Sequence, residues 1–326
     1  MRWLTDSALE RLREAADAPD LEGTRYRLIN KLGQGGMGGV YRVEDRTLER
    51  EVALKVISIP ECSGGWSARL LQEARVIAKL EHPGIVPVHD AGTLPDGRPY
   101  YTMKLVQGKR LDEHLKDVPG LSDRLRIFLR ICDAVAFAHA HGVLHRDLKP
   151  ANVMIGPFGE VLVMDWGLSK LLGTVASARN LTEPEENKIR EAGSDEGTAH
   201  GSVLGTPGYM SPEQTRGDAL LDERADVYSL GVVLEFLMAQ GSPQPVPRAL
   251  AAIRRQAMAD DAARRYQKVP DIAVDVAHFL DGLPVSAYPE GPFGHAWRWM
   301  SRNRAWILLL LAYMIARALV IFFRPG

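Results

Sequence analysis

Cysteine is scarce in this chain of 326 residues: only Cys62 and Cys132 occur, far apart, and neither has the C-x-x-C spacing of a metal or redox site. That usage fits a reducing compartment, and Cys132 falls on the apolar stripe of a helix, where it reads as core. A surplus of either charge is also missing. The formal net charge is -1, so the basic excess or stripe expected of a nucleic-acid binder is absent and no nucleic-acid partner is expected. Residues 1 to 10 include Asp6 and Glu10 and lack a continuous apolar stretch, so no secretory signal is expected there. Composition carries no mark of disorder: 46% hydrophobic and 25% charged residues suffice for one large or two smaller cores.

Ligand-capable side chains concentrate in His145-Arg146-Asp147-Leu148-Lys149-Pro150-Ala151-Asn152. A helix over 122–140 leads in, with Ser122 as candidate N-cap and Leu125, Phe128, Cys132, Val135 and His139 on one stripe. An apolar strand-like run over 153–155 leads out, so the polar cluster reads as a rigid loop between two buried elements. His139, His141 and His145 suggest zinc, but no acidic or cysteine partner is spaced to complete a site.

Upstream, residues 1–25 form a leader with a short amphipathic helix over 7–16. A strand-like run over 26–29 then enters Leu32-Gly33-Gln34-Gly35-Gly36-Met37-Gly38-Gly39-Val40-Tyr41. The Gly33, Gly35, Gly38 spacing alone is a weak signal. A dinucleotide-binding turn needs a helix directly after its glycines, whereas Val40-Tyr41-Arg42-Val43 alternates with period two. The spacing therefore predicts a hairpin with a glycine tip that can close over phosphates. A strand over 52–57 places Lys55 inside an apolar run, where an ammonium must be paired or snorkel. Its candidate partner is Glu73, on one face with Leu70, Ile77 and Leu80 of a helix over 68–80. Strand-like runs over 86–89 and 100–106 follow, with a turn at Pro95-Asp96-Gly97 between them.

Downstream, Asp165 stands in Val163-Met164-Asp165-Trp166-Gly167. Residues 173–204 hold six acidic and three basic residues and few large apolar ones, reading as a mobile loop. Gly205-Thr206-Pro207-Gly208-Tyr209-Met210-Ser211-Pro212-Glu213 comes next, and Asp226-Val227-Tyr228-Ser229-Leu230-Gly231 opens a long apolar helix. Past a basic stretch over 283–305, residues 306–323 (WILLLLAYMIARALVIFF) carry one charge, Arg317, and reach the short end of the range for a membrane-spanning helix. Arg298, Arg302 and Arg304 precede that run and Arg324 follows it, so the positive-inside bias puts the main domain in the cytoplasm.

These motifs, in this order over about 26 to 281, resemble bacterial eukaryote-like (Hanks-type) serine/threonine protein kinases of a membrane-tethered form. The resemblance implies an α+β, bilobal fold: a small β-rich N-lobe over 26–105 and a mostly helical C-lobe over 106–282, then a linker and a transmembrane helix. It implies ATP bound by Leu32, Gly33, Gln34, Gly35, Gly36, Met37, Gly38, Val40, Ala53, Lys55, Glu73, Met103, Lys104, Val106 and Met154. Here Met103 is the gatekeeper, and Lys104 stands where an acidic residue is common. Asn152 and Asp165 would hold Mg²⁺, Asp147 would orient or accept the proton of the attacking hydroxyl, and Lys149 would offset the charge of the transferring phosphoryl. Asp-Trp-Gly replaces the usual Asp-Phe-Gly, and Ser211-Pro212-Glu213 replaces Ala-Pro-Glu at the end of a long activation segment over 165–213.

Asp226 would bond the catalytic-loop backbone, and Arg265 would pair with Glu213. Thr198, Ser202 and Thr206 are candidate phosphosites whose phosphate Arg146 could receive, with a homodimer as the vehicle of trans-autophosphorylation. Protein substrates and an inner-membrane, single-pass location follow from the same resemblance. One departure stands out: after residue 240 the chain has only Gly241-Ser242-Pro243-Gln244-Pro245 where kinases insert a further helix. A nucleotide-binding pseudokinase scaffold, impaired by that shortening, is the alternative reading.

Overall fold

The computed structural model describes residues 18–35, 38–57, 74–118, 120–166, 208–218, 221–239, 245–289 and 304–322. Five strands, β1 (Tyr26–Gly35), β2 (Gly38–Asp45), β3 (Arg50–Val56), β4 (Val88–Thr93) and β5 (Pro99–Lys104), form one antiparallel sheet in the order β1-β2-β3-β5-β4. β3 is central, so both of its faces are covered. Val52, Leu54 and Val56 enter a core with Tyr26, Tyr41, Val43 and Tyr100, while Ala53 and Ile57 point the opposite way, toward Tyr101 and Met103. Lys55 has the parity of Ala53 and Ile57, and its register partner on β5 is Tyr101. A strand follows the glycines, as the alternation of 40–43 predicts: Gly35 pairs with Gly38 and Gln34 with Gly39. Gly38 has φ +132°, a conformation that a side chain resists.

The rest of the described chain is mainly helical. A second sheet, β6 (Lys109–Arg110), β7 (Val153–Ile155) and β8 (Val161–Val163), lies beside α1 (Leu111–His114) and α2 (Leu121–Ala140). Next come α3 (Pro212–Arg216), α4 (Glu223–Ala239), α5 (Arg248–Ala257) and α6 (Val269–Leu280). α4 buries a broad stripe of Val227, Leu230, Val233, Leu234 and Leu237 in the core. α2 packs on α4 and α6, and α5 packs on α4. At Gly231 a Cβ would stand 2.6 Å from Met258 Cγ and 2.9 Å from Ala257 Cβ, so glycine permits the close approach of α4 to the end of α5.

Some boundaries differ from the sequence reading. The N-cap of α2 is Gly120, not Ser122, because the Gly120 carbonyl already accepts the Arg124 N–H at 3.2 Å and Ser122 falls inside the first turn. β4 starts at Val88 and β5 at Pro99, a shift of one or two residues from the apolar runs. α4 ends at Ala239 and α5 begins at Arg248, and residues 240–244 of the short connection lie outside the described residues. A last helix, α7 (Arg304–Phe322), has exposed Trp306, Leu309, Leu310, Leu311, Tyr313, Met314 and Ile315. Among the described residues no helix is long and apolar enough to cross a membrane.

Candidate active site

The loop after α2 hangs on one buried carboxylate. Asp226, in the first turn of α4 and fully buried, accepts the N–H of His145 through Oδ2 and that of Arg146 through Oδ1, both at 2.8 Å, and meets His139 Nε2 at 2.7 Å. Burial works to raise the Asp226 pKa, but the His139 hydrogen bond and the Arg146 N–H outweigh it, leaving the carboxyl below its ordinary value. Arg146 adopts φ +67°, a left-handed conformation that costs a non-glycine residue on the order of 1–2 kcal/mol and persists where surrounding bonds hold it. Asp226 supplies that hold from the amide side.

His145 turns the loop toward β8. Its Nδ1 accepts the Asp147 N–H at 3.3 Å, which leaves Nε2 as the donor to the Met164 carbonyl at 2.9 Å. Burial lowers the His145 pKa, consistent with that neutral ring. The imidazole packs 4.8 Å from the Trp166 ring, and the indole N–H of Trp166 donates to the Val163 carbonyl at 3.0 Å. The tryptophan of Asp-Trp-Gly is therefore buried with its polar atom paired. It also lines a cavity of about 20 Å³, with Ala74, Ile77, Tyr101, Met103 and Asp165, room for about one water.

The Asp147 carboxylate lies between two donors: Lys149 Nζ is 2.8 Å from Oδ2, and Asn152 Nδ2 is 3.1 Å from the same oxygen and 2.7 Å from the Asp147 carbonyl. The Asp147 and Lys149 side chains keep 19% and 21% of their surface exposed, so the group is open to a reactant. Because Asn152 spends its amide nitrogen on Asp147, its Oδ1 remains the atom able to face a cation. The backbone brings Asn152 next to Asp165: the Met164 N–H donates to the Asn152 carbonyl at 2.8 Å, continuing the β7–β8 ladder. An amide oxygen and a carboxylate at adjoining positions form a donor set that suits a hard divalent cation.

Across the cleft, Lys55 Nζ is 2.6 Å from Asp165 Oδ1. Burial acts to lower the lysine, but the neighbouring Tyr101 phenol and the charge and hydrogen bond of Asp165 raise it on balance, so it stays an ammonium. Burial pushes the Tyr101 phenol up to about 12. Asp165 itself has φ +59°. The partner expected from the sequence, Glu73, lies outside the described residues, as do Gly36, Met37, Thr198, Ser202 and Thr206.

The other expected nucleotide contacts border the same cleft. Leu32, Gly33 and Gln34 are exposed at the hairpin, Val40 pairs with Lys55, and Ala53 pairs with Met103. Met154 is on β7 directly after the loop. The N–H of Lys104 donates to the Pro87 carbonyl at 3.1 Å; Val106 follows, half-buried. Beyond the loop, Glu213 and Arg265 make a two-pronged pair at 2.6 and 2.8 Å, with the Arg265 guanidinium fully buried over the Tyr228 ring.

Three residues were not foreseen from the sequence. His139 reads as stripe and in fact meets Asp226. Tyr101 reads as strand and stands opposite Lys55 in the β3–β5 register, where its neighbouring phenol raises the lysine pKa. Gln214 completes a capping box with Ser211 and reaches Arg146; the S-x-x-Q spacing was the available signal.

The protein kinase domain family matches residues 26–284 of this chain. Serine/threonine-protein kinase PknD of Protochlamydia amoebophila is 32% identical over 303 residues, covering 79% of this chain and 30% of that protein. PknD of Chlamydia caviae is 33% identical over 303 residues, covering 80% and 32%. This chain thus spans about a third of the length of the curated relatives it matches. The crystal structure of the Mycobacterium tuberculosis PknI kinase domain superposes with a TM-score of 0.58 at 26% identity, over 80% of this chain and 98% of that one.

Proposed function

Because this chain belongs to the protein kinase family, with that family's two-lobed fold of β-sheet and helical regions, we propose that it transfers the γ-phosphoryl group of Mg-ATP to serine and threonine hydroxyls of proteins. The observation that carries the reading is the Asp147 carboxylate, gripped by Lys149 and Asn152 on a loop that Asp226 anchors, with the Lys55–Asp165 pair lining the same cleft. Phosphoryl transfer needs positioning and charge compensation more than covalent participation.

Asp147 orients the acceptor hydroxyl and takes its proton, Lys149 faces the transferring phosphoryl, and Lys55 binds the α- and β-phosphates beneath the 32–40 hairpin. Ala53, Met103, Lys104, Val106 and Met154 hold the adenine. Asn152 Oδ1 and Asp165 would hold Mg²⁺, which supplies charge neutralisation on the phosphate oxygens when bound. Labelled ATP, Mg²⁺ and a basic protein substrate test the reading: label enters the substrate with the unaltered chain and drops by about 10²-fold or more with Asp147→Asn. Equal labelling by both rejects the assignment of Asp147.

The finer proposals concern regulation and place. Autophosphorylation falls on Thr198, Ser202 or Thr206, in trans within a homodimer, and mass spectrometry after incubation with ATP finds the modified residue. Residues 306–323 cross the inner membrane once, with the kinase domain in the cytoplasm. Support comes from the apolar run with its single Arg317 and from the exposed apolar side chains of α7. Fractionation of bacterial cells finds the full chain with membranes, and recovery wholly in the soluble fraction rejects the tether.

A further inference from the structure

One amide ties the chain after residue 208 to the catalytic loop. At the start of α3 the Gln214 N–H donates to Ser211 Oγ at 3.4 Å, while Gln214 Oε1 accepts from the Ser211 N–H and from the Ser211 hydroxyl, both at 3.1 Å. A glutamate would complete that capping box equally well, so the cap does not require an amide. The Nε2 of the same buried side chain leaves the helix and donates to the Arg146 carbonyl at 2.7 Å. That carbonyl and the Asp147 N–H belong to one planar peptide, whose N–H goes to His145 Nδ1 at 3.3 Å. Gln214 holds the plane at its oxygen and His145 holds it at its nitrogen. The preceding amide, of Arg146 itself, is tied to Asp226, and Arg146 sits at φ +67° between the two anchors. The tilt of the 146–147 plane sets the direction in which the Asp147 side chain leaves the backbone.

We propose that Gln214 is a positioning residue for Asp147: its amide N–H fixes the Arg146–Asp147 peptide and so makes the aim of the carboxylate depend on the seating of α3 at the end of the activation segment. The inference rests on the reading of Asp147 as the proton acceptor. It assigns to Gln214 a role different from that of the adjacent Glu213, which turns away to Arg265.

Gln214→Glu in the full chain separates the two jobs of the side chain, keeping the acceptor for Ser211 and removing the donor to Arg146. The expected result is a kcat lower by about 10- to 100-fold, with the KM for ATP within about twofold. The introduced carboxyl regains a donor when protonated, so the ratio of variant to unaltered kcat rises as pH falls. Hydrogen–deuterium exchange across 145–152 quickens. Thr215→Ala, on the same short helix but exposed, leaves kcat as it was.

A kcat within about twofold of the unaltered chain overturns the proposal, and so does a loss shared by Thr215→Ala or one carried by the KM for ATP. If the unaltered chain transfers no phosphate, the exchange measurement still decides. Faster exchange then upholds the tie while the reading of Asp147 fails, and equal exchange removes the tie. Should the carboxylate prevent folding, Gln214→Met removes the donor without adding charge and is expected to show the same split between kcat and KM.

Discussion

Lys55 keeps its charge in an apolar strand because Asp165 Oδ1 meets it at 2.6 Å, with Tyr101 opposite on the neighbouring strand. The need for a partner is legible in the sequence, since an isolated buried ammonium is untenable. The partner is not: Asp165 lies 110 residues away and Tyr101 is opposite only in the β3–β5 register. Asp165→Ala leaves the buried Lys55 ammonium without its carboxylate. Chemical denaturation is expected to show lower stability, and phosphoryl transfer is expected to fall. Asp226 makes a sharper case. Asp226→Ala strands the buried N–H groups of His145 and Arg146, each worth about 1–3 kcal/mol when unsatisfied, and leaves Arg146 in a left-handed conformation with its amide anchor gone. Denaturation is expected to show that combined loss, and phosphoryl transfer is expected to fall with it.

At the scale of elements, two polar clasps fasten pieces that apolar contact alone would leave movable. The first joins α3 to the chain before α6 through Glu213 and the fully buried Arg265. Glu213→Ala leaves that guanidinium buried and unpaired by its carboxylate, at an expected cost of about 3–5 kcal/mol read from denaturant midpoints. The second clasp is Asp275 on α6, which accepts from the Tyr266 hydroxyl and the Ser286 hydroxyl, both at 2.7 Å, from the Ser286 N–H at 2.8 Å and from the Ala287 N–H at 3.1 Å. These bonds direct the chain as it leaves the helical lobe toward 290. Asp275→Asn exchanges an acceptor-only carboxylate for an amide that can satisfy fewer of the four. Proteolysis at 281–289 is expected to become faster while phosphoryl transfer is retained. The helices themselves were legible from their 3.6-residue stripes, and the resemblance implied the Glu213–Arg265 pair; the Asp275 clasp was not legible, because Asp275 occupies a position that reads as a polar interruption of α6.

For the whole molecule, pH dependence follows from groups held away from their ordinary values. Burial works to raise Glu213, Asp226 and Asp275, but Arg265, His139 and the donors around Asp275 outweigh it, and all three carboxyls are lowered. A carboxyl lowered in the folded state adds stability above its unfolded pKa of about 4, and that stability is lost as pH falls toward the folded value. Burial lowers His145, so the unfolded chain takes up a proton there first, below about pH 6.5. Denaturation free energy is therefore expected to be level near pH 7–8, to decline gently below about 6.5 and to drop steeply below about 4. A profile flat down to pH 4 and steep only beyond it would remove His145 from this account.

By itself the sequence determined the chemistry and its order along the chain: glycine hairpin, buried lysine, His145–Asn152 cluster, Asp165, Asp226 and the short connection after α4. These are local properties, since alternation, helical spacing and the cost of burying a charge act over a few residues. Tertiary structure decided which of them meet. Lys55 faces the cleft because β3 is the central strand and its odd positions turn inward, and the 145–147 backbone is held because α4 places Asp226 beneath it. Gln214 reaches Arg146 across 68 positions of sequence. Contacts at such separations depend on register and packing of whole elements, which no local pattern encodes.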